Sequence, residues 1–159
     1  MIEDLIDTLA ALPPDSALAR LRHERAAIRG HTQGAYRALL HPGQPGGLTH
    51  QARASLAWRS AVDEGDGPLA AHYAGLGGGE AEGVLAEYGR RVATAPGGLG
   101  QADIDALRAA GLSPQDIVAA TQLVAFVPFQ VRLLAGLRAM GGQPPTATAG
   151  MPEKARAAF

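Results

Sequence analysis

Two adjacent side chains, His72 and Tyr73, stand in the stretch DEGDGPLAAHYAGL (63–76). An imidazole titrates near neutral pH and serves as a general acid or base, and a phenol can donate or orient a proton. A third candidate is His31, in HTQGAYRALL (31–40). Arg59 and Arg132 add guanidinium groups, whose fork suits a carboxylate. Together these five describe a cleft between helices in which His72 or His31 moves a proton and an arginine holds an anion. Consecutive residues of a helix point about 100° apart, so His72 and Tyr73 do not both line one pocket directly. Each group also has a plainer reading. A histidine on a half-buried helix is more often a hydrogen-bonded structural group, and arginine is the usual residue of buried interface ion pairs.

Other chemistries are excluded or weak. The chain has no cysteine, which removes disulfides, thiolate catalysis and Cys-ligated metals. His41 and His50 flank the loop HPGQPGG (41–47), but no nearby carboxylate completes a metal set. Neither a metal nor a cofactor is expected. The glycine cluster GLGGGE (75–80) lacks the Lys and Ser/Thr of a phosphate-binding loop and follows no strand, so it reads as a connection. The net charge of −1 gives no clustered basic face for nucleic acid. The richest basic run, RLRHER (20–25) with Arg29, is interrupted by Glu24 and reads as a solvated or interface-facing helix surface.

The elements that must position these groups are helical. With 159 residues, 47% of them apolar and 18% charged, the chain fits one globular domain. A domain of this size buries roughly 70% of its unfolded surface. Alternating apolar and polar residues with β-branched enrichment are nearly absent, so the expected class is all-α. Helices are expected over 2–12, over 16–40 with a break near Gly30 to Gly34, over 49–64, 68–75, 80–93 and 101–110, and over 114–140. Asp15 or Ser16 caps the second, and Thr49 caps the third. Trp58, the only tryptophan, is expected at a helix or subunit contact. Gly111 precedes the last helix, which opens with Ser113 as N-cap, Pro114 at its first position and Asp116 at its third. Pro128 is expected to kink it.

That last helix is apolar almost all round from Ile117 to Leu137. Gln122, Gln130 and Arg132 near its middle argue against a membrane span, since Arg costs roughly 2.5–3.5 kcal/mol at a bilayer centre. The better reading is the central helix of a bundle or of an oligomer. The expected domain covers 1–140, with 141–159 as a tail or arm. The N-terminus MIEDLIDTLAAL carries acids where a secretory signal carries a basic region, so a cytoplasmic location is expected.

LTHQARASLAWRSAVDEGDGPLAAHYAGL (48–76) resembles the core helix pair of the carboxymuconolactone decarboxylase and alkylhydroperoxidase D superfamily. HTQGAYRALL (31–40) and ALRAAGLSPQDIVAATQLVAFVPFQVRLLAGLRAM (106–140) are similar to a branch of it labelled peroxidase-related or decarboxylase-like. In the family, a capped long helix ends in an Asn-Gly turn, followed by Cys-x-x-Cys-x-x-x-His, with a glutamate about three turns before the first cysteine. The resemblance spans about 16–140 and implies an alkylhydroperoxidase D-like helical bundle assembled as dimers, trimers or hexamers. Placing Gly65 on the turn glycine sets Asp66 and Leu69 on the two cysteine positions and Tyr73 on the histidine, with His72 one residue off and Ala54 on the glutamate.

No residue here replaces the sulfur chemistry of the thiol peroxidases, in which one cysteine is oxidised by peroxide and the other resolves the sulfenic acid. The expected function is therefore a small-molecule-binding or structural homo-oligomer without thiol peroxidase activity. The alternative is a cysteine-free acid/base lyase or isomerase acting on a small carboxylic (lactone) acid. Its catalytic candidates are His72, Tyr73 and His31, and its ligand-binding candidates are Arg59 and Arg132. Neither reading involves nucleic acid or a membrane.

Overall fold

A computed structural model describes residues 4–144. Among these residues every regular element is helical: α1 (Leu5–Leu9), α2 (Ala17–Glu24), α3 (Ala26–Leu40), α4 (His50–Asp63), α5 (Gly67–Gly75), α6 (Val84–Thr94), a short 3-10 turn (Pro96–Gly98), α7 (Gln101–Ala109) and α8 (Pro114–Met140). The expected tail beyond residue 144 lies outside the described residues.

The caps are chemical and local. Ser16 accepts from the Ala19 amide, Thr49 from Ala52 and Ser113 from Asp116. Each side-chain oxygen satisfies one of the amides that a first helical turn leaves unpaired. Asp116 completes the capping box at α8 by accepting from the Ser113 amide at 2.9 Å.

Three boundaries differ from expectation. The first helix is shorter than 2–12: Asp4 caps it, and Ala11 at φ 48° turns the chain away soon after. The long second helix breaks at Arg25 (φ −95°, ψ 42°), and Gly30 and Gly34 lie inside α3. An interior glycine costs a helix only about 1 kcal/mol, less than tertiary contacts supply. The turn at Arg25 accompanies such contacts: Arg22 and Arg29, on either side of it, both pair with Asp4 and Asp7 around the start of α1. The helix expected from 80 starts instead at Val84, after Gly83 at φ 96°. At Pro128, α8 continues without interruption.

Helix α4 is the hub. It packs chiefly against α5 and α8, and α8 in turn contacts α1, α3, α6 and α7. The shared core includes Leu48, Ala57, Ala61, Leu69, Leu107, Leu123, Val127 and Leu134, with Trp58 partly buried against it. By length and composition α8 could cross a membrane. It is nevertheless the main packing partner of the bundle, and its buried side includes the side chains of Asp116, Gln130 and Arg138.

Two buried polar clusters fasten the helices. Asp66, only 1% exposed, caps α5 by accepting from the Leu69 amide at 2.9 Å. The same carboxylate accepts from both terminal nitrogens of Arg138 on α8, and Arg138 also donates to the Leu9 carbonyl at 3.2 Å. Gln143 adds a bond to the Ala10 carbonyl at 2.8 Å. The second cluster holds the 41–49 loop. Arg53 donates to the carbonyls of Leu48, Leu39 and Pro45. Asp116 accepts from the amides of Gly47 and Leu48, each at 3.2 Å. Desolvation works to raise the Asp116 carboxyl, but hydrogen bonds from Ser113, Leu48 and Gly47 prevail and hold it below the usual range.

Candidate functional site

The histidine and tyrosine candidates occupy different environments. His72 lies half-buried on α5, and its Nε2 stands 2.9 Å from the phenol oxygen of Tyr36 on α3. The same oxygen lies 3.2 Å from Nε2 of His41, the residue that ends α3. A phenol has one proton and can donate it to only one imidazole. The other imidazole must therefore present an Nε2–H to the phenol oxygen. The three side chains form a His41–Tyr36–His72 relay with two tautomeric directions. Its rings sit 5.4 and 5.8 Å apart, centroid to centroid.

Burial drives the electrostatics here. Desolvation, then the neighbouring His41, lowers the His72 pKa below 6.5, so the imidazole is neutral at physiological pH. Desolvation also raises the Tyr36 phenol, which stays protonated. His41 is exposed and connects the relay to solvent. Nδ1 of His72 makes no hydrogen bond among the described residues. The arrangement can pass a proton between bulk water and His72.

Tyr73 is not part of that relay. It has no solvent exposure, and its phenol donates to Oε1 of Gln130 on α8. Desolvation, assisted by Tyr36, pushes its pKa far up despite the hydrogen bond to Gln130. It is a buried strut between α5 and α8. His31 is exposed on α3 and hydrogen-bonds to no described residue. Arg132 projects from α8 with 70% of its side chain exposed, and Glu64 is 3.9 Å away. Arg59 is paired with Asp63 and, at 3.3 Å, with Glu80. None of these four side chains hydrogen-bonds to the relay. Among the described residues no group of three His, Asp or Glu side chains stands at metal-binding spacing. His50 is committed to the Pro42 carbonyl at 3.0 Å.

Arg59 belongs to a separate feature, a cavity of about 300 Å³ between α4, α6 and the 79–82 connection. Leu56, Leu85 and Val124 form its apolar floor, and Ser55, Ser60 and Arg59 face it from α4. Two glycines shape it by close approach. A Cβ at Gly89 would lie 2.7 Å from Cδ2 of Leu56, so any side chain there would make the Leu56 side chain move. A Cβ at Gly78 would lie 2.4 Å from the Ala54 carbonyl oxygen and 2.8 Å from that of Tyr73. The connection is thereby seated directly on the backbones of α4 and α5. The relay does not line this cavity.

Sequence reasoning did not pick out Tyr36, Gln130, Ser55 or Ser60, and it weighed His41 only as a metal ligand. Tyr36 and His41 meet because the chain leaves the helix at His41 (φ −129°, ψ 48°), since residues five apart on a continuous helix point away from each other. The contact of that pair with His72 spans a distance in sequence that no local pattern encodes.

The low pKa of His72 fixes a sign. The unfolded chain takes up this proton near pH 6.5, and the folded chain only at lower pH. The associated stability is present above pH 6.5 and is lost as pH falls through the interval below it. An NMR titration of the His72 ring should give a midpoint below 6.5. A midpoint at or above that value would contradict the buried relay.

No protein-family model matches the chain, and neither the curated proteins nor the solved structures contain a match to it.

Proposed function

We propose that this chain is a cysteine-free protein of the carboxymuconolactone decarboxylase and alkylhydroperoxidase D-like type that binds a small molecule as a self-assembled bundle. The α4–α6 cavity is the observation that carries this reading. Its volume of about 300 Å³ lies at the small end of ligand pockets, roughly 300–1,000 Å³. It combines an apolar floor with a few convergent polar groups, the usual composition of such sites. Thiol peroxidase chemistry has no place in it, because the chain holds no sulfhydryl.

Self-assembly is supported by the outer face of α8. Val118 (56% exposed) and Phe129 (46% exposed) stand there with Gln122, Ala125, Arg132 and Gly136. These positions alternate by four and three residues, the spacing of an interhelical seam. An antiparallel copy of α8 makes the seam self-complementary. Ala125 then faces Phe129, Val118 faces Gly136, and Gln122 faces Arg132, so small meets large and an amide meets a guanidinium. The occupant proposed for this face is a second copy of the chain.

A second reading, acid/base catalysis on a small carboxylic (lactone) acid, is favoured by the His41–Tyr36–His72 relay. In it His72 transfers the proton, Tyr36 orients it and His41 exchanges with solvent.

Three measurements separate these readings. Ala86→Leu fills the cavity, and ligand-detected NMR with small cyclic fragments should lose the binding seen with the parent protein. Retained binding would place the site elsewhere. Phe129→Glu should convert a larger species into one eluting near the 16.3 kDa chain mass. A parent protein already eluting at that mass would remove the assembly. For the second reading, His72→Ala should keep the helical circular dichroism and lose at least 100-fold of any lactone-acid turnover. Undiminished turnover would exclude His72 as the acid/base.

A further inference from the structure

We infer that the α4–α6 cavity selects uncharged molecules with an apolar body and one hydroxyl or carbonyl group, and discriminates against carboxylates; this rests on the cavity being the binding site. The first argument concerns charge. Two guanidiniums line the cavity, and both are engaged. Arg59 is bonded to Asp63 and Glu80, and Arg90 to Glu87. The lining carboxylates are Asp63, Glu80 and Glu82, which outnumber the arginines, and Glu82 enters no ion pair among the described residues. A carboxylate ligand leaving water needs a compensating partner. To reach Arg59 it would have to share one guanidinium with Asp63 and Glu80 and lie beside both of their charges. The cavity therefore repels the anion that an arginine alone would seem to invite.

The second argument concerns hydroxyls. Ser60 is 8% exposed and faces the cavity, and its Oγ makes no hydrogen bond among the described residues. Helical threonines elsewhere return their hydroxyls to the carbonyl four residues earlier, as Thr32, Thr94 and Thr121 do. Ser60 does not. Ser55, 9% exposed, accepts weakly from the Gly79 amide at 3.4 Å and donates to no described group. Both hydroxyls line the cavity with their protons unused, and beside the apolar Leu56, Leu85 and Val124 they match a ligand that supplies one neutral acceptor oxygen. An ammonium group would lose its hydration to meet carboxylates that are already paired, or Glu82, which is exposed and screened by water.

Three probes of one shape test this: cyclohexanol, cyclohexanecarboxylate and cyclohexylammonium, titrated into the full chain at neutral pH. Binding is read from the amide shifts of Leu56, Ser60, Leu85 and Val124. Cyclohexanol should move these signals saturably, and the two ions should not. Ser60→Ala, with its helical content verified, should weaken cyclohexanol roughly five- to tenfold, the effect of one hydrogen bond. Tighter binding of either ion overturns the selectivity and leaves the cavity as the site. Unchanged cyclohexanol affinity in Ser60→Ala overturns the role of the hydroxyl. Silence from all three probes overturns the cavity itself.

Discussion

The buried pair of Asp66 and Arg138 sets the geometry of this protein. A charge removed from water must be met by an opposite charge and by hydrogen bonds, or the fold cannot retain it. Here one carboxylate caps α5 and receives Arg138, which also grasps the end of α1. The start of α5, the end of α8 and the carbonyl of Leu9 are therefore fixed together. Two turns back along α8 lies Gln130, in place to receive Tyr73. With Tyr73 turned to α8, its neighbour His72 is turned to α3 and Tyr36. The relay is a downstream result of where the ion pair holds α5.

The two candidate sites differ in what the bundle gives them. The relay is built from rings locked by hydrogen bonds, with a neutral imidazole and a route to water, so it offers proton transfer. The cavity offers shape, an apolar floor and two serine hydroxyls, with its arginines internally paired. Among the described residues no hydrogen bond joins the two sites. Arg53 and Asp116 serve both indirectly, because they hold the loop between α3, which bears Tyr36, and α4, which bears the two serines.

Much of the scaffold was legible because its signals are local. Ser16, Thr49 and the Ser113–Asp116 box mark helix starts by side-chain chemistry that acts within three residues. The apolar run of 117–137 announces burial by composition alone. The break at Arg25 was not legible, since it accompanies ion pairs with a helix earlier in the chain. Glycine at 30 and 34 suggested a break that local propensity was too weak to enforce. At the site, His72 and Tyr73 were identifiable by type alone, but the burial of Tyr73 against Gln130 depends on a distant helix and was not legible. Tyr36 was hidden because its partner comes from another helix. The cavity was hidden because a void is defined by what several helices fail to fill. Arg59 looked like an anion binder from sequence, but the nearby carboxylates Asp63 and Glu80 already occupy it.

The position of Gly78 has an evolutionary consequence. The backbone there is clamped between two carbonyl oxygens and admits no side chain, whereas Gly79 has open space around a notional Cβ. Residue 78 thus works as a rivet, and the segment beyond it as a replaceable panel. Sequence change after the rivet falls on one wall of the cavity, where it meets open space at Gly79, rather than on the seat between α4 and α5.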